Sequence, residues 1–438
     1  MTRANIGIGS NLGDRIAHLD AGLAGIAQVG TVSHGSPIYE TAPVGDVEQD
    51  PFLNAVIALD TDLGPRDLLD ALLGIEATQG RERDVRWGPR TLDLDLLTYS
   101  GEIVDEPGLT VPHPEIRNRR FVLVPLVHAD PHLADASGLY VEALGSVNDQ
   151  EIRRVSGPVH PDGSRWLLGL EDAIGLARVH DGWTFACHSD WANSSGDMFG
   201  AYLSAVSLFA LRDVAPQMSP TAITHRFLHG VPVESSGVAH LAIDRQSDRS
   251  IDVVVTLALE GQVVGRSTIS AVASVPVLEA GPRAPVVEGI ESTVPISDLI
   301  AGLGRPVGIA ATNWGPLESW DVPDLADGTD TAFRLWSPNV GLGSHDPYLT
   351  AASMLMPIDA SIWPAVMQDL DLLPNGPAVF TPTVDFSAVF ADLGSDDLFH
   401  LAEARLEHRT ASSVSGTIRI WGDDGGYRAT GRSYNLVR

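Results

Sequence analysis

The sequence predicts an α+β protein with two domains, and three observations lead to this prediction. The 438 residues exceed what one ordinary core holds, since domains usually contain about 100–200 residues. Residues 1–158 alternate strand-like and helix-like runs, which is typical of antiparallel strands with interspersed helices. Residues 155–165 are rich in Gly, Pro and Ser and are predicted to be a linker. The second domain, at 166–438, contains a weak internal repeat.

The first domain is predicted to begin with a strand and to end with a helix and a strand. Its elements are a strand at 4–9, a helix at 15–27, a strand at 52–60, a helix at 65–79, a strand at 91–99, and a last helix and strand after Arg119. Strands that alternate with helices in this way predict an antiparallel sheet with helices packed on it.

The second domain is predicted to contain two copies of one unit, at about 166–276 and 290–438. Each copy begins with an apolar, helix-like stretch, at 197–212 and at 346–368. Strand-like runs follow in both copies, at 221–228, 238–244, 251–260 and 262–273, and at 380–390, 398–408, 413–421 and 427–437. Each copy is therefore expected to be one helix wrapped by an antiparallel sheet.

Similar residues at a nearly constant spacing support the repeat. Thr224 and Thr383 are separated by almost the same stretch of sequence as the His-Leu-Ala triplets that begin at His240 and His400. We therefore expect the members of each pair to occupy equivalent places in the two copies.

The charge of the chain excludes several classes of function. A net charge of −29 gives no general attraction for nucleic acid or for an anionic membrane. All 28 positive side chains are arginine, because the sequence has no lysine. A Walker-type phosphate loop and a Schiff-base enzyme both require lysine and are excluded. Phosphates must therefore be bound by arginine, histidine, backbone amides or metal.

The single cysteine and the absence of long apolar runs bear on the compartment. Cys187 cannot form an internal disulfide, and the start of the chain does not resemble a secretory signal. No apolar run approaches the roughly 20 residues that span a bilayer. We expect a cytoplasmic protein without a membrane or nucleic-acid partner.

Positive charge is concentrated between positions 76 and 121 of this acidic chain. Seven arginines fall within this stretch: Arg81, Arg83, Arg86, Arg90, Arg117, Arg119 and Arg120. Arginine stays charged and binds phosphate oxygens with two parallel hydrogen bonds. A solvated surface of salt bridges explains the same cluster and stays open as an alternative.

Two aspartates beside these arginines favour a metal–phosphate site. Asp93 and Asp95 alternate with leucines at 92, 94 and 96, so in a strand both carboxylates share one face. Magnesium takes one or two carboxylates together with substrate phosphates, and two such ions can bridge a triphosphate. The alternative is an exposed face whose acids pair with nearby arginines. The residues themselves predict Mg²⁺-dependent phosphoryl or nucleotidyl transfer and leave the acceptor open.

Five motifs in the first domain resemble the 6-hydroxymethyl-7,8-dihydropterin pyrophosphokinase family of folate biosynthesis. They are G-S-N-L-G-D at 9–14, Y-E-T-A-P-V-G at 39–45, F-L-N-A at 52–55, R-W-G-P-R-T-L-D-L-D at 86–95 and V-P-H-P-E-I-R-N-R-R-F at 111–121. The resemblance implies a ferredoxin-like α+β fold for this domain. It also implies ATP and 6-hydroxymethyl-7,8-dihydropterin as substrates, with two Mg²⁺ ions and AMP as a product.

The same resemblance implies a role for each matched residue. Asp93 and Asp95 would hold the two Mg²⁺ ions. The residues implied for catalysis are Arg81, Arg83, Arg90, Asp93 and Asp95. Those implied for ATP binding are Glu76, Arg81, Arg83, Trp87, Arg90, His113 and Arg119. Those implied for the pterin are Thr41, Ala42, Val44, Phe52, Asn54 and Phe121, of which Phe52 stands where the family often has tyrosine.

The second domain resembles the double hotdog of acyl-CoA thioesterases. The motifs that carry this resemblance are F-G-A-Y-L-S-A-V-S at 199–207, H-R-F-L-H-G-V-P at 225–232 and T-V-D-F-S at 383–387, with the closing run from 416 to 438. The resemblance implies helices wrapped by antiparallel sheet and an acyl-CoA ligand. Hotdog sheets commonly pair with each other, so a homo-oligomer is compatible with it.

The resemblance also implies a hydrolytic site with one departure from the family pattern. Asp359 and Thr383 match the positions that activate water, whereas Ser433 stands where active members carry glutamine. A serine cannot offer the paired donor and acceptor of an amide. The alternative is that Asp359 caps a helix that begins at Ala360 and that Thr383 is an ordinary strand residue.

Three interpretations of the whole chain follow. It is a pyrophosphokinase fused to a thioesterase, a pyrophosphokinase fused to a non-catalytic acyl-binding or assembly module, or a chain whose first domain only binds. The intact set of acids and arginines argues against the third. Cys187, His188 and His225 are expected to be packed or surface groups rather than a nucleophile and its base.

Overall fold

The computed structural model describes residues 1–43, 49–80, 90–193, 196–273, 281–287, 289–295, 320–321, 332–369, 382–394 and 396–437. The chain divides into two compact units, Met1–Gly169 and Leu170–Arg438. Both units combine helices with antiparallel sheet, so the predicted α+β class is confirmed.

The described part of unit 1 contains β-strands, three α-helices and two 3₁₀ turns, at Ile116–Asn118 and Val141–Ser146. Its elements are β1 (Thr2–Ser10), α1 (Arg15–Ile26), β2 (Thr31–Gly35), β3 (Tyr39–Thr41), β4 (Phe52–Thr61), α2 (Pro65–Thr78), β5 (Asp93–Tyr99), β6 (Val104–Glu106), β7 (Leu109–Val111), α3 (Arg120–Ala129), β8 (Ala134–Asp135), β9 (Gly138–Leu139), β10 (Ile152–Arg154), β11 (Ser156–Val159) and β12 (Trp166–Leu168).

The main sheet of unit 1 has the strand order β10-β3-β4-β1-β5, with β2 also paired to β4. All of these pairings are antiparallel. Helices α1 and α2 contact each other and, respectively, β1 and β5, while α3 contacts β4. Asp14 caps α1 by accepting the Ala17 amide at 3.1 Å, and Pro65 begins α2. Strand β4 is buried along nearly its whole length because α1 and α3 both contact it.

The segment predicted to be a linker is instead part of unit 1. Strands β11 and β12 form a hairpin, and Val159 and Trp166 belong to the apolar core of the unit. The indole Nε1 of Trp166 donates to the Ser36 carbonyl at 3.0 Å, and the Ile38 amide donates to Ser156 Oγ at 2.9 Å. Composition suggested a loop, but these long-range contacts order the segment. Unit 1 therefore extends to Gly169 rather than to residue 158.

Unit 2 contains long strands around two buried helices, with 3₁₀ turns at Ser189–Trp191 and Ile290–Ser292. Its elements are α4 (Leu170–Ile174), β13 (Ala177–Val179), β14 (Gly182–Cys187), α5 (Gly200–Val214), β15 (Ser219–Phe227), β16 (Ser235–Gln246), β17 (Ser250–Leu259), β18 (Gln262–Val272), β19 (Val294–Pro295), β20 (Trp320–Asp321), β21 (Phe333–Pro338), α6 (Pro347–Ala360), α7 (Ile362–Asp369), β22 (Thr383–Phe390), β23 (Phe399–Arg409), β24 (Ser413–Gly422) and β25 (Tyr427–Leu436).

One sheet of thirteen strands joins the two halves of unit 2. Its order is β13-β14-β16-β17-β18-β15-β22-β25-β24-β23-β21-β20-β19, so β15 and β22 meet at the centre. Helices α5 and α6 are almost completely buried and contact each other. They run antiparallel, because the α5 end at Arg212 contacts the α6 N-cap Asp346 while Asp359, near the α6 end, contacts Ala201. The predicted repeat of a helix and its wrapping sheet is thus present.

The register of the repeat differs from the spacing that the matching sequence words predicted. Strand β16 has a bulge at 243–245 where it pairs with β17, and β23 has a bulge at 406–408 where it pairs with β24. Aligning the two bulges makes His240 equivalent to Glu403 and not to His400.

The two threonines that were expected to be equivalent are displaced as well. The same alignment of the two copies matches Thr224 with Ser387, and these two residues pair directly across the centre of the sheet. Thr383 lies earlier on β22, at its first residue. The predicted equivalence of Thr224 and Thr383 is therefore wrong.

The error in the histidine pair has a simple physical origin. His400 and Glu403 differ by an odd number of positions, and an odd shift along a strand moves a side chain to the opposite face. Matching letters in short words cannot distinguish these two faces, but the hydrogen-bond ladder does.

One run in unit 2 reaches the length of a membrane span, contrary to the expectation from the sequence. Pro347–Val366 has 20 residues with a mean hydropathy of 1.2, and its side chains are buried inside the protein. Apolar character all around a helix is also typical of the central helix of a large core. The position of α6, wrapped by sheet, accounts for this run.

Candidate active site

Two neighbouring strands of unit 1 bring the predicted carboxylates to one open face. Asp93 of β5 pairs directly with Gly9 of β1, and Asp95 pairs with Gly7. Directly paired residues present their side chains on the same face, and the two glycines have no side chain to cover the carboxylates. The leucines at 92, 94 and 96 are buried, as the alternation predicted.

A cavity of about 300 Å³ lies over this face. The predicted site residues that line it are Thr41, Ala42, Phe52, Asn54, Arg90, Asp93, Asp95, His113, Arg119 and Phe121. Arg90, Asp93, Asp95, His113 and Arg119 carry ionisable side chains, whereas Phe52, Phe121 and Asn54 carry aromatic rings or an amide. The structure therefore brings together, around a single cavity, residues that the sequence assigned to phosphate and to the pterin.

The charged part of the cavity joins cations to carboxylates. Arg90 forms an ion pair with Asp93, and the Arg119 guanidinium lies 5.8 Å from the centre of the Phe121 ring. His113 Nδ1 accepts the Glu115 amide at 3.3 Å, so the proton of the neutral ring is on Nε2. That nitrogen can donate to an anionic oxygen. This part of the cavity suits a ligand that carries phosphates and cations together.

The other part of the cavity holds an amide in a fixed orientation. Asn54 Nδ2 donates to Thr41 Oγ1 at 2.9 Å. Gly9 pairs with Asn54, and a Cβ atom at Gly9 would lie 2.8 Å from Asn54 Oδ1. Glycine at position 9 is therefore needed for this orientation. Phe52 and Phe121 line the same cavity, and an amide beside aromatic rings suits a flat heterocycle with ring donors and acceptors.

Arg117 and Arg120 do not line the cavity and make contacts that hold unit 1 together. Arg117 donates to the Asp135 carboxylate and to the Gly138 and Leu139 carbonyls. Arg120 donates to the carbonyls of Asn148 and Gln150. For Arg117 the alternative of a salt-bridged surface describes the contacts, whereas the contacts given for Arg120 are to backbone carbonyls.

Glu76 lies inside the unit rather than on the cavity. Its side chain is 2% exposed, and its Oε1 accepts the Leu94 amide at 2.8 Å. Glu76 thus ties α2 to the strand between Asp93 and Asp95. Its predicted contact with ATP stays a prediction. Val44, Arg81, Arg83, Arg86 and Trp87 lie outside the described residues.

Several residues at the cavity were not predicted. They are Gly7, Ile8, Gly9, Gln49, Ala55, Val56, Leu97 and Val122. The glycines carried a signal, because Gly7 and Gly9 alternate with isoleucines in β1 as the aspartates alternate with leucines in β5. If the two strands are neighbours and their isoleucines and leucines face one core, the glycines of β1 and the aspartates of β5 lie together on the opposite face.

Asn11 is a further residue that the sequence did not single out. It is 1% exposed, its Oδ1 accepts the Arg90 amide at 2.8 Å, and its own amide nitrogen donates to the Arg90 carbonyl at 3.1 Å. Its Nδ2 donates to Gln49 Oε1 at 3.0 Å and to the Asp50 carbonyl at 3.3 Å. Asn11 therefore joins two chain segments that border the cavity.

In unit 2 the predicted aspartate lies at the buried junction of the two central helices. Asp359 is 9% exposed, and its Oδ2 accepts the Ala201 amide at 2.9 Å. It caps α5 from the end of α6 and does not cap a helix beginning at Ala360. Gly200 permits the approach, since a Cβ there would lie 2.6 Å from Oδ2. Burial raises the pKa of the Asp359 carboxyl to about 6.

A chain of hydrogen bonds continues from Asp359 to strand β25. Thr383 Oγ1 donates to Asp359 Oδ1 at 2.9 Å, and Asn435 Nδ2 donates to Thr383 Oγ1 at 2.9 Å. Ser433 Oγ donates to Asn435 Oδ1 at 2.6 Å. The predicted Asp359 and Thr383 thus touch, whereas Ser433 reaches them through Asn435, which the sequence did not single out.

Cys187, His188 and His225 are packed or peripheral groups, as expected. Cys187 is 1% exposed, and burial raises the pKa of its thiol. His225 is fully buried, its Nδ1 is 2.8 Å from Ser267 Oγ, and burial lowers its pKa to about 3. His188 Nδ1 accepts the Asp190 amide at 3.1 Å. Among the described residues, no group of three or more His, Cys, Asp or Glu could hold a metal on its own.

Residues 5–131 match the family model described as 7,8-dihydro-6-hydroxymethylpterin-pyrophosphokinase (HPPK). The chain is also 45% identical over 157 residues to the 2-amino-4-hydroxy-6-hydroxymethyldihydropteridine pyrophosphokinase of Methylorubrum extorquens. That match covers 35% of this chain and 99% of the relative. The chain belongs to the HPPK family. The enzyme of the same name from Pseudomonas aeruginosa is 42% identical over 158 residues, covering 35% of this chain and 98% of that protein.

The prediction that the chain is an enzyme of the HPPK family is therefore confirmed. The match covers about the first third of the chain, and most of it falls on unit 1. The cavity with Asp93, Asp95 and Arg90 lies within the matched residues 5–131.

The remainder of this HPPK-family chain is similar in fold to a solved thioesterase. An acyl-CoA thioesterase II from Mycobacterium marinum superposes with a TM-score of 0.50 at 13% identity. The match covers 61% of this chain and 98% of that structure. At this identity the likeness concerns the fold alone, and it agrees with the predicted hotdog arrangement of unit 2.

Proposed function

We propose that unit 1 transfers a pyrophosphoryl group from ATP to 6-hydroxymethyl-7,8-dihydropterin in a Mg²⁺-dependent reaction of folate biosynthesis. The observation that carries this is one cavity lined by Asp93, Asp95 and Arg90 together with Asn54 and Phe121. Membership of the HPPK family supports the same activity. The strand order β5-β1-β4 followed by β3 and β2, with α1 and α2 in the crossovers, supports the ferredoxin-like fold expected for it.

The donor set of the cavity fits magnesium. Two carboxylates share a face and stand opposite glycines, and Asp93 already pairs with the Arg90 cation. Two carboxylates are too few for a metal site built from protein alone, but Mg²⁺ is commonly bound by one or two carboxylates plus phosphates and water. Bound there, the ions would neutralise charge on the triphosphate and orient it.

The residues of the chain supply position and charge. The pterin hydroxymethyl oxygen attacks the β-phosphorus of ATP, the bond from that phosphorus to the oxygen bridging to the α-phosphate breaks, and AMP leaves. Asn54, held by Thr41, orients the heterocycle. Arg90, Arg119 and the His113 Nε2 proton stabilise the charge on the phosphates. Such transfer requires little covalent chemistry from protein.

Product analysis tests this proposal. The intact chain is incubated with ATP, the pterin alcohol and Mg²⁺, and the nucleotides are separated. Pyrophosphoryl transfer gives AMP and one pterin diphosphate for each ATP consumed, and chelation by EDTA abolishes it. Formation of ADP, or turnover that survives EDTA, would contradict the proposal.

We infer a second activity for unit 2, hydrolysis of an acyl-CoA thioester. The observation that favours it is the buried Asp359, whose pKa is raised to about 6 and which accepts the Thr383 hydroxyl. A carboxylate with this pKa is ionised at neutral pH and basic enough to take a proton from water. The water oxygen attacks the thioester carbon, the proton goes to Asp359, the carbon–sulfur bond breaks, and the thiol leaves with a proton.

Thiol release from acyl-CoAs of graded chain length tests the second activity. The chain has the single Cys187, which is buried, so the thiol background is low. Release that depends on Thr383, measured with the isosteric Thr383→Val variant, supports hydrolysis. Binding of acyl-CoA without thiol release indicates the alternative, a non-catalytic acyl-binding module.

A further inference from the structure

Strand β25 carries two polar residues that both face the proposed hydrolytic site of unit 2 and are separated by one residue of the opposite face. Ser433 and Asn435 are each 2% exposed, whereas Tyr434 between them is 39% exposed. Residues i and i+2 of a strand share a face. A polar function expected at position 433 can therefore be met from position 435 without any change of face.

The donors and acceptors at these residues have one consistent direction. Asn435 donates through Nδ2 to Thr383 Oγ1, so the single proton of that hydroxyl is left for Asp359 Oδ1. Ser433 donates to Asn435 Oδ1 and so fixes which end of the amide faces Thr383. With the amide turned around, its oxygen would accept the threonine proton, and Asp359 would lose that donor.

We propose that Asn435 supplies the amide of the hydrolytic site from the position two residues after the expected one, and that Ser433 orients it. Both act as positioning residues through Thr383 on Asp359. This inference rests on the hydrolysis proposed for unit 2. It also explains how a serine at 433 is compatible with that activity, because the amide function is kept at position 435.

Burial makes the hydrogen bonds of the Asp359 carboxylate costly to lose. A buried carboxylate is costly unless hydrogen bonds satisfy it. Asp359 has the Ala201 amide at Oδ2 and the Thr383 hydroxyl at Oδ1. The bond from Thr383 partly offsets the rise in pKa that burial causes. Loss of the Asn435 amide frees the threonine hydroxyl to rotate, so the base is both less well placed and harder to ionise.

The test uses full-length variants and measures kcat, KM and the pH profile of thiol release with a long-chain acyl-CoA. We expect Asn435→Ala to lower kcat on the order of 100-fold with little change in KM, and to move the acidic limb of the profile to higher pH. Asn435→Asp keeps the shape but cannot donate, so it should fail similarly. Ser433→Ala should lose on the order of 10-fold.

A rescue variant makes the test specific. Asn435→Ala combined with Ser433→Gln returns an amide to the neighbouring position on the same face, and we expect it to regain most of the lost kcat. Tyr434→Phe, on the outer face of the same strand, is the matched control and should behave like the unmodified chain. Thermal melting of each variant checks that the fold is kept.

The outcomes separate the two proposals. If the unmodified chain hydrolyses acyl-CoA and Asn435→Ala or Asn435→Asp stays within about threefold of it, the role of Asn435 is wrong while the hydrolytic function stands. If the unmodified chain releases no thiol from any acyl-CoA, the function proposed for unit 2 fails and the role of Asn435 fails with it. Loss in both variants with recovery in the rescue variant supports the inference.

Discussion

The two units place aspartate in opposite surroundings. Asp93 and Asp95 lie on an open strand face beside Arg90, opposite glycines. Asp359 lies in the core at a junction of helices, where its partners are a backbone amide and a threonine hydroxyl. The first arrangement attracts cations and phosphates through charge. The second raises the affinity of one carboxylate for a proton. The two proposed activities would therefore use aspartate in different ways, one for charge stabilisation and the other for proton transfer.

Local sequence produces each arrangement differently. Strand β5 alternates leucine with aspartate, so burial of one face exposes the acids on the other. Helix α6 is apolar around its whole surface, so a polar residue near its end must find partners inside the core. The N-terminus of α5 supplies one partner, since its first amides have no helical acceptor.

The largest expected effect is on the open site, the cavity of unit 1 that Asp93, Asp95 and Arg90 line. Asp95→Ala removes one of the two shared-face carboxylates, and we expect AMP release to fall roughly 1,000-fold, which corresponds to about 4 kcal/mol. Asp95 is exposed on the strand, so the fold should be kept. Nucleotide separation measures the rate, and thiol release by unit 2 of the same molecules should be unchanged.

A matched control for this prediction is Asp105→Asn on β6, another exposed strand carboxylate that does not line the cavity. It should leave AMP release unchanged. Near-normal AMP release from Asp95→Ala would contradict the assignment of these carboxylates to metal ions.

The second expected effect is on the buried site, the hydrogen-bonded group of Asp359, Thr383 and Asn435 in unit 2. Asp359→Asn keeps the shape but removes the base, and we expect thiol release to fall roughly 100- to 1,000-fold. AMP release by unit 1 should be unchanged. If Asp359→Asn hydrolyses acyl-CoA at the normal rate, Asp359 serves only as a cap for α5, and the contrast between the two sites is lost.

The fold was predicted well where the pattern is local. The alternation in β5 follows from its period of two, and the long apolar stretches that form α5 and α6 follow from their length. The structure of the segment at 155–165 was not predicted, because Val159 and the neighbouring Trp166 are held by contacts with residues distant in sequence. Composition reports local preference and carries no information about such partners.

The site was predicted where motifs are continuous and was incomplete where the chain folds back. Asp93, Arg90 and His113 lie in or beside long motifs and line one cavity. Asn435 was missed because only position 433 matched the expected pattern, although both residues face inward. Arg117 looked like its neighbours in sequence, but its partners are Asp135 and the Gly138 carbonyl. Only tertiary structure separates these cases.

The third prediction uses pH to sharpen the contrast. The hydrolytic base must be ionised, so kcat/KM for thiol release should fall about tenfold per unit as pH drops below about 6 and stay level above it. Thr383 donates to Asp359 and lowers its pKa. Thr383→Val should therefore move the limb to higher pH, whereas Thr383→Ser should keep it. A limb that does not move with Thr383→Val would contradict the proton-transfer role of Asp359.

The smallest expected effect concerns Asn11, whose hydrogen bonds join two segments that border the cavity of unit 1. Asn11 joins Arg90 to Gln49 and Asp50 through hydrogen bonds of 2.8–3.3 Å. Asn11→Ala leaves these groups unsatisfied at a cost of about 1–3 kcal/mol, and we expect kcat/KM for AMP release to fall roughly tenfold.

The Asn11→Asp variant shows whether the loss of activity comes from the contact with Arg90 or from the contacts with Gln49 and Asp50. The aspartate keeps an acceptor for the Arg90 amide but loses the donor to Gln49 and Asp50, so an intermediate loss is expected. Leu12→Ala, at the exposed neighbouring position, is the control. A full loss in Asn11→Asp would assign the effect to the segment at 49–50, and no loss would assign it to Arg90. Because Arg90 pairs with Asp93, the second result would mean that Asn11 acts by placing the charge that the open site depends on.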